Sequence, residues 1–143
     1  MKTPFDYLCG ASFLRKKAIP MQVGEPTRAI LVVDDNASIR RLVKAFLEAA
    51  GYTVIIAVDG EAALDFFMRN RPAIALLLTD VEMPRMNGLD LADRVLELEG
   101  NLPVLFMSGT TGHADRGYGC VAKPFRGSEL VARVEVVLQR QAA

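Results

Sequence analysis

The sequence predicts an α/β fold: a doubly wound, five-stranded parallel sheet with helices on both faces. Two observations carry this expectation. Short apolar runs such as 29–33 and 74–78 are continuous rather than alternating, as strands buried on both faces require. Between the strand-like runs lie segments whose apolar residues recur at i, i+3, i+4 and i+7, the buried stripe of an amphipathic helix. The two patterns alternate from residue 29 onward, and that rhythm implies right-handed βαβ units.

The elements follow in order. Ala29–Val33 is the first strand and ends at Asp34 and Asp35. Asn36 caps a helix bearing Ile39, Leu42, Val43, Phe46 and Leu47, which Gly51 stops. Thr53–Val58 is the second strand. Asp59 and Gly60 open a helix through Ala63, Leu64, Phe67 and Met68, closed before Pro72. Ile74–Leu78 is the third strand and leads into Thr79 and Asp80. A loop with Pro84, Asn87 and Gly88 precedes a helix carrying Leu89, Ala92, Val95 and Leu96, with Gly100 as its stop. Pro103–Met107 is the fourth strand and Cys120–Ala122 a short fifth, and Leu130, Val131, Val134, Val137 and Leu138 mark the last helix. Residues 108–119 break the rhythm, because four glycines in twelve residues without an apolar stripe predict a loop or at most one helical turn.

Composition bounds the rest. At 143 residues, 51% hydrophobic and 24% charged, the chain suits one globular domain that needs no disulfide or metal staple. Basic and acidic residues balance at 17 each, so the basic excess of a nucleic-acid binder is missing. The balance hides an asymmetry: residues 1–28 hold five basic and two acidic side chains, the remainder twelve and fifteen. Pro20, Gly24 and Pro26 punctuate that border, so residues 1–27 are expected to be an N-terminal extension and 28–141 the domain. Without an apolar run long enough for a membrane span or a signal peptide, the expected setting is cytoplasmic. Cys9 and Cys120 form neither a disulfide framework nor a zinc pattern, and His113 is a loop residue.

Ligands of parallel α/β sheets bind beyond the carboxyl ends of the strands. Those ends carry Asp34 and Asp35, Asp80, Ser108 and Lys123, which would share one patch. Clustered carboxylates repel unless a cation intervenes, and a hard divalent ion such as Mg²⁺ matches oxygen ligands and phosphate. With the charge neutralised, one carboxylate can attack phosphorus, while Lys123 and the Ser108 hydroxyl hold phosphoryl oxygens.

These residues resemble the receiver domain of the two-component response-regulator family (CheY-like). The matching segments are 30–36, 78–88, 106–109 and 121–125, the most specific being Asp80-x-x-Met83-Pro84-x-Met86-x-Gly88. The resemblance covers about 29–140 and implies the flavodoxin-like strand order 2-1-3-4-5. It implies Asp80 as phosphoacceptor, Asp35 as direct Mg²⁺ ligand, Asp34 as the neighbour holding metal-bound water, and the Glu82 backbone carbonyl as third protein ligand. Ser108 matches the switch hydroxyl and Lys123 the phosphate-binding lysine, whose peptide bond to Pro124 is cis in the family. The phosphodonor implied is a histidine kinase or histidine phosphotransfer protein. The chain is then no enzyme beyond its own phosphoryl transfer and autodephosphorylation, the latter tuned by the Glu82 side chain. Output is expected through a downstream protein target, with no nucleic acid bound by this chain and no membrane.

Two departures affect the output. Cys120 stands where the family usually has an aromatic switch residue, and Tyr118 points to the other face of a regular strand. The family's fourth helix is expected to be shortened or absent. The face built by that helix, the fifth strand and the last helix often mediates output or homodimerisation in the family, so an altered surface follows. Two rival readings remain at this point: a receiver-like interaction module without a working phospho-switch, and a haloacid-dehalogenase-like phosphohydrolase. The latter needs a second Asp two residues after its nucleophile, where this chain has Asn36 or Ala37.

Overall fold

Five strands take up the apolar runs, in the order β2-β1-β3-β4-β5 with every pairing parallel. In this computed structural model, which describes residues 28–109 and 119–142, the strands are β1 Ala29–Val33, β2 Val54–Ala57, β3 Ile74–Asp80, β4 Val104–Ser108 and β5 Cys120–Ala122. Every residue of β1, β3 and β4 is buried, which is why their sequences run apolar without alternation. Successive side chains still point to opposite faces. Ile30 and Val32 join one core cluster, Leu31 and Val33 the other.

The helices among the described residues cover those two faces. On the first lie α1 (Ala37–Ala49), through Val43 and Leu47, and α4 (Gly127–Ala142), through Leu130, Val134 and Leu138. On the second lie α2 (Gly60–Arg69), through Ala63 and Phe67, and α3 (Gly88–Leu98), through Leu91, Ala92 and Val95. Each of the large side chains at 0% exposure, such as Leu47, Phe67, Leu91 and Leu130, contributes about 1.5–3 kcal/mol.

The capping residues act as expected. Asn36 Oδ1 accepts from the Ser38 and Ile39 N–H groups, Asp59 Oδ1 from Ala62 and Asn87 Oδ1 from Asp90. Gly51, at φ 98°, ends α1 in a Schellman turn: its N–H donates to the Glu48 carbonyl and that of Tyr52 to the Leu47 carbonyl. The expected Gly100 stop is replaced by Glu99, whose φ of −137° already leaves the helix.

Strand ends also differ from expectation. β2 is shorter at both ends, and β4 starts one residue later and takes in Ser108. β3 runs on through Thr79 and Asp80, because the parallel ladder continues there: the Val81 N–H donates to the Met107 carbonyl at 3.0 Å. The expected extension 1–27, with Cys9, and the segment 110–118, with His113, Tyr118 and the shortened fourth helix, lie outside the described residues. No helix among the described residues is long and apolar enough to cross a membrane.

Candidate functional site

The sheet register assembles the site. Val33 pairs with Thr79, so the next residues, Asp34 and Asp80, leave adjacent strands side by side. Asp80 pairs with Met107, which brings Ser108 alongside, and Ser108 pairs with Ala122, which brings Lys123. The Lys123 N–H donates to the Ser108 carbonyl at 2.7 Å, extending the ladder to the rim. The Lys123–Pro124 peptide is cis, as the resemblance implied.

Side chains close the arrangement. Carboxylate oxygens of Asp34, Asp35 and Asp80 all lie within 4.8 Å of one another. Lys123 Nζ donates to Asp34 Oδ2 at 2.9 Å and sits 3.3 Å from Asp80 Oδ1, so it serves two acids rather than one. Asp34 is fully buried, and its Oδ1 accepts the Asn36 N–H at 2.9 Å; Asp35 beside it is exposed. Asp80 is 6% exposed and Ser108 3%.

The electrostatics follow from that burial. Loss of water pushes the Asp80 carboxyl above its usual value. The Lys123 charge opposes the shift, Asp34 reinforces it, and a backbone hydrogen bond from Glu82 opposes it again. For Lys123, burial alone would lower the ammonium, but its hydrogen bond and charge pairing with Asp34, aided by Asp80, leave it raised and firmly cationic. Three hard oxygen donors at this spacing, two of them buried, match the donor set of a divalent oxygen-loving cation.

The sequence-predicted Asp34, Asp35, Asp80 and Lys123 are thus brought together. Ser108 closes β4 at the same rim, and Glu82 lies two residues past Asp80 with its side chain exposed. Cys120 is half-buried on β5, opposite Phe106, and packs against the core cluster of α2 and α3. Sequence reasoning missed Arg40, whose Nη1 donates to the Asp34 carbonyl at 2.7 Å from α1. It also left unexplained why Gly88 is glycine. A Cβ there would fall 2.0 Å from the Asp80 carbonyl oxygen, and the Gly88 N–H donates to the Val81 carbonyl at 2.8 Å. The start of α3 therefore rests directly on the backbone of Asp80.

Comparison with known proteins agrees with this geometry. The family model for the response regulator receiver domain matches residues 30–135. The transcriptional regulatory protein CpxR of Escherichia coli (strain K12) is 39% identical over 118 residues, covering 78% of this chain and 49% of CpxR. The alkaline phosphatase synthesis transcriptional regulatory protein SphR of Synechococcus elongatus is 36% identical over 130 residues, covering 80% and 50%. This chain thus spans about half the length of these curated relatives. Among solved structures, the receiver domain of NtrX from Brucella abortus superposes with a TM-score of 0.70 at 32% identity, covering 77% of this chain and 98% of that one. Vibrio cholerae chemotaxis protein CheY4 gives 0.71 at 29% identity, covering 78% and 98%. Sequence profile, sheet order and rim chemistry converge, and the chain belongs to the response-regulator receiver family.

Proposed function

We propose that Asp80 accepts a phosphoryl group from the phosphohistidine of a histidine kinase or histidine phosphotransfer protein, in a Mg²⁺-dependent reaction in the cytoplasm. The observation that carries this reading is the carboxylate trio within 4.8 Å with Lys123 bonded into it. Asp34, Asp35, Asp80 and the Glu82 carbonyl would hold the ion. Bound there, Mg²⁺ supplies charge neutralisation and a template for phosphoryl oxygens.

The chain's own residues do the rest. The Lys123 charge favours Asp80 as the carboxylate, the nucleophilic form. An oxygen of that carboxylate forms the new bond to phosphorus as the nitrogen–phosphorus bond of the donor breaks. The departing imidazole keeps the electron pair and is protonated from solvent. Lys123 and the Ser108 hydroxyl would take phosphoryl oxygens, so catalysis is mainly positioning and charge compensation. The exposed Glu82 side chain, two residues past Asp80, would tune hydrolysis of the acyl phosphate. The phosphorylated domain then passes its signal to a downstream protein target by contact, with self-association through the β5–α4 face as a further route.

One experiment tests this. The protein is incubated with Mg²⁺ and a small acyl- or amidophosphate, and intact mass is measured for wild type and Asp80→Asn. The wild type should gain one acid-labile phosphoryl group that the variant lacks. Multiple turnovers that require Asp34 or Asp35 as nucleophile would instead mark a phosphohydrolase, a reading weakened by Asn36, whose side chain is engaged in capping α1. Cys120 favours a second reading for the output alone. A thiol offers no ring to rotate behind Ser108, so phosphorylation without the family's aromatic switch is the alternative.

A further inference from the structure

The loop between β3 and α3 carries the Glu82 carbonyl, and it is anchored on two sides. Inside, Val81 is fixed by hydrogen bonds to Met107 and Gly88, and Met83 is buried in the core cluster. Outside stands Arg85. It is the one non-glycine residue with positive φ among those described, at 68°, and it is the centre of a γ-turn closed by the Met86 N–H donating to the Pro84 carbonyl at 2.8 Å. Glycine or asparagine fills such a position at less cost. The Arg85 side chain crosses to the start of α2, where Nη2 donates to Asp59 Oδ2 at 2.9 Å and Nε lies 3.5 Å from Glu61 Oε1. Beside it Met86 lies so close to Gly60 that a Cβ on Gly60 would be 3.0 Å from the Met86 Cβ, Cγ and carbonyl oxygen.

A left-handed backbone on a bulky residue costs more than a solvent-exposed ion pair returns, so the clamp is poorly explained as a stabilising device. We propose that Arg85 is a positioning residue: by tying the 81–87 loop to Asp59 and Glu61 at the start of α2, it holds in place the backbone of Glu82, two residues past Asp80, whose carbonyl would serve the metal. The inference rests on the reading of Asp34, Asp35 and Asp80 as a Mg²⁺ site.

The sign of one measurement separates this role from simple electrostatics. Removing a cation near an acidic cluster should tighten Mg²⁺ binding through Coulomb's law alone. Loss of a positioning contact should weaken it. Mg²⁺ affinity is measured by calorimetric titration on wild type, Arg85→Gln, Arg85→Lys, Asp59→Asn and the Arg85→Gln/Asp59→Asn pair. Asp59→Asn keeps a capping oxygen for α2, so it guards against a variant that merely fails to fold. The expected result is about tenfold weaker binding in Arg85→Gln, the scale of a lost outer-shell partner. Arg85→Lys should restore most of it, and denaturation midpoints without metal should hardly move. The pair, whose net charge equals that of the wild type, should be as weak as Arg85→Gln. Wild-type or tighter binding in Arg85→Gln, or recovery in the pair, overturns the positioning role. Asp35→Asn is the control: if it binds Mg²⁺ like wild type, the site reading itself falls, whereas its failure to bind alongside an unaffected Arg85→Gln removes only the clamp.

Discussion

Asp80 is held in a place that resists its charge: it is nearly dry, beside Asp34, and relieved mainly by Lys123. Its folded pKa lies above the unfolded value, so its contribution is fully present below the unfolded pKa, near 4, and is lost as pH rises through the folded value. At neutral pH the carboxylate therefore costs stability. Asp80→Asn should raise the metal-free stability at pH 7 by on the order of 1 kcal/mol, while abolishing phosphorylation. Urea midpoints at pH 7 and at pH 4 check this, since the gain should shrink at the lower pH. Asp34 and Asp35 are neighbours with opposite circumstances. Asp34 is buried, with one oxygen taken by the Asn36 N–H and the other by Lys123, whereas Asp35 faces solvent. Lengthening Asp34 to Glu should destabilise the fold by about 1–3 kcal/mol, the range for overpacking. Asp35→Glu should leave the thermal midpoint nearly unchanged.

Elements act here through what their ends touch. The close rest of α3 on Asp80 makes Gly88 the tightest point of the site. Gly88→Ala should cost about 3 kcal/mol or more by forcing α3 and β3 apart. It should also slow phosphorylation of the molecules that remain folded, which denaturant titration and a phosphorylation time course would show together. Much of this level was legible in the sequence. Strands buried on both faces leave continuous apolar runs, caps leave Asn36, Asp59 and Asn87, and rim chemistry leaves acids and a lysine at strand ends. Arg40 was not legible. Arg40 and Arg41 are adjacent, and only helix phase against the folded sheet decides that Arg40 reaches the Asp34 carbonyl. Arg85 was hidden for a similar reason, since its backbone conformation follows from the fit of the loop against α2, a contact between segments 26 residues apart. Strand ends were misplaced by a residue or two because ladder bonds, and not apolar content, carry β3 and β4 to the rim.

Across the whole molecule, the two helices of the first face, α1 and α4, are tied at a point the site does not use. Tyr52, just past the Schellman turn of α1, is buried in the core that α1 and α4 share, and its phenol is pushed up to about 12 by burial and by the Glu135 charge on α4. A raised folded pKa means this stabilisation is intact below pH 10 and is lost as pH climbs from there through about 12. Wild type should therefore lose stability over that range more steeply than Tyr52→Phe, a difference visible in denaturant midpoints taken from pH 8 upward. The parallel topology has one further consequence. Arg28 enters β1 at the pole of the sheet away from the acids, and α4 starts near the acidic rim and runs back along the sheet for about 24 Å. α4 therefore ends at the far pole, so an affinity tag or fused fluorescent reporter joined after it departs from the side opposite the acidic rim.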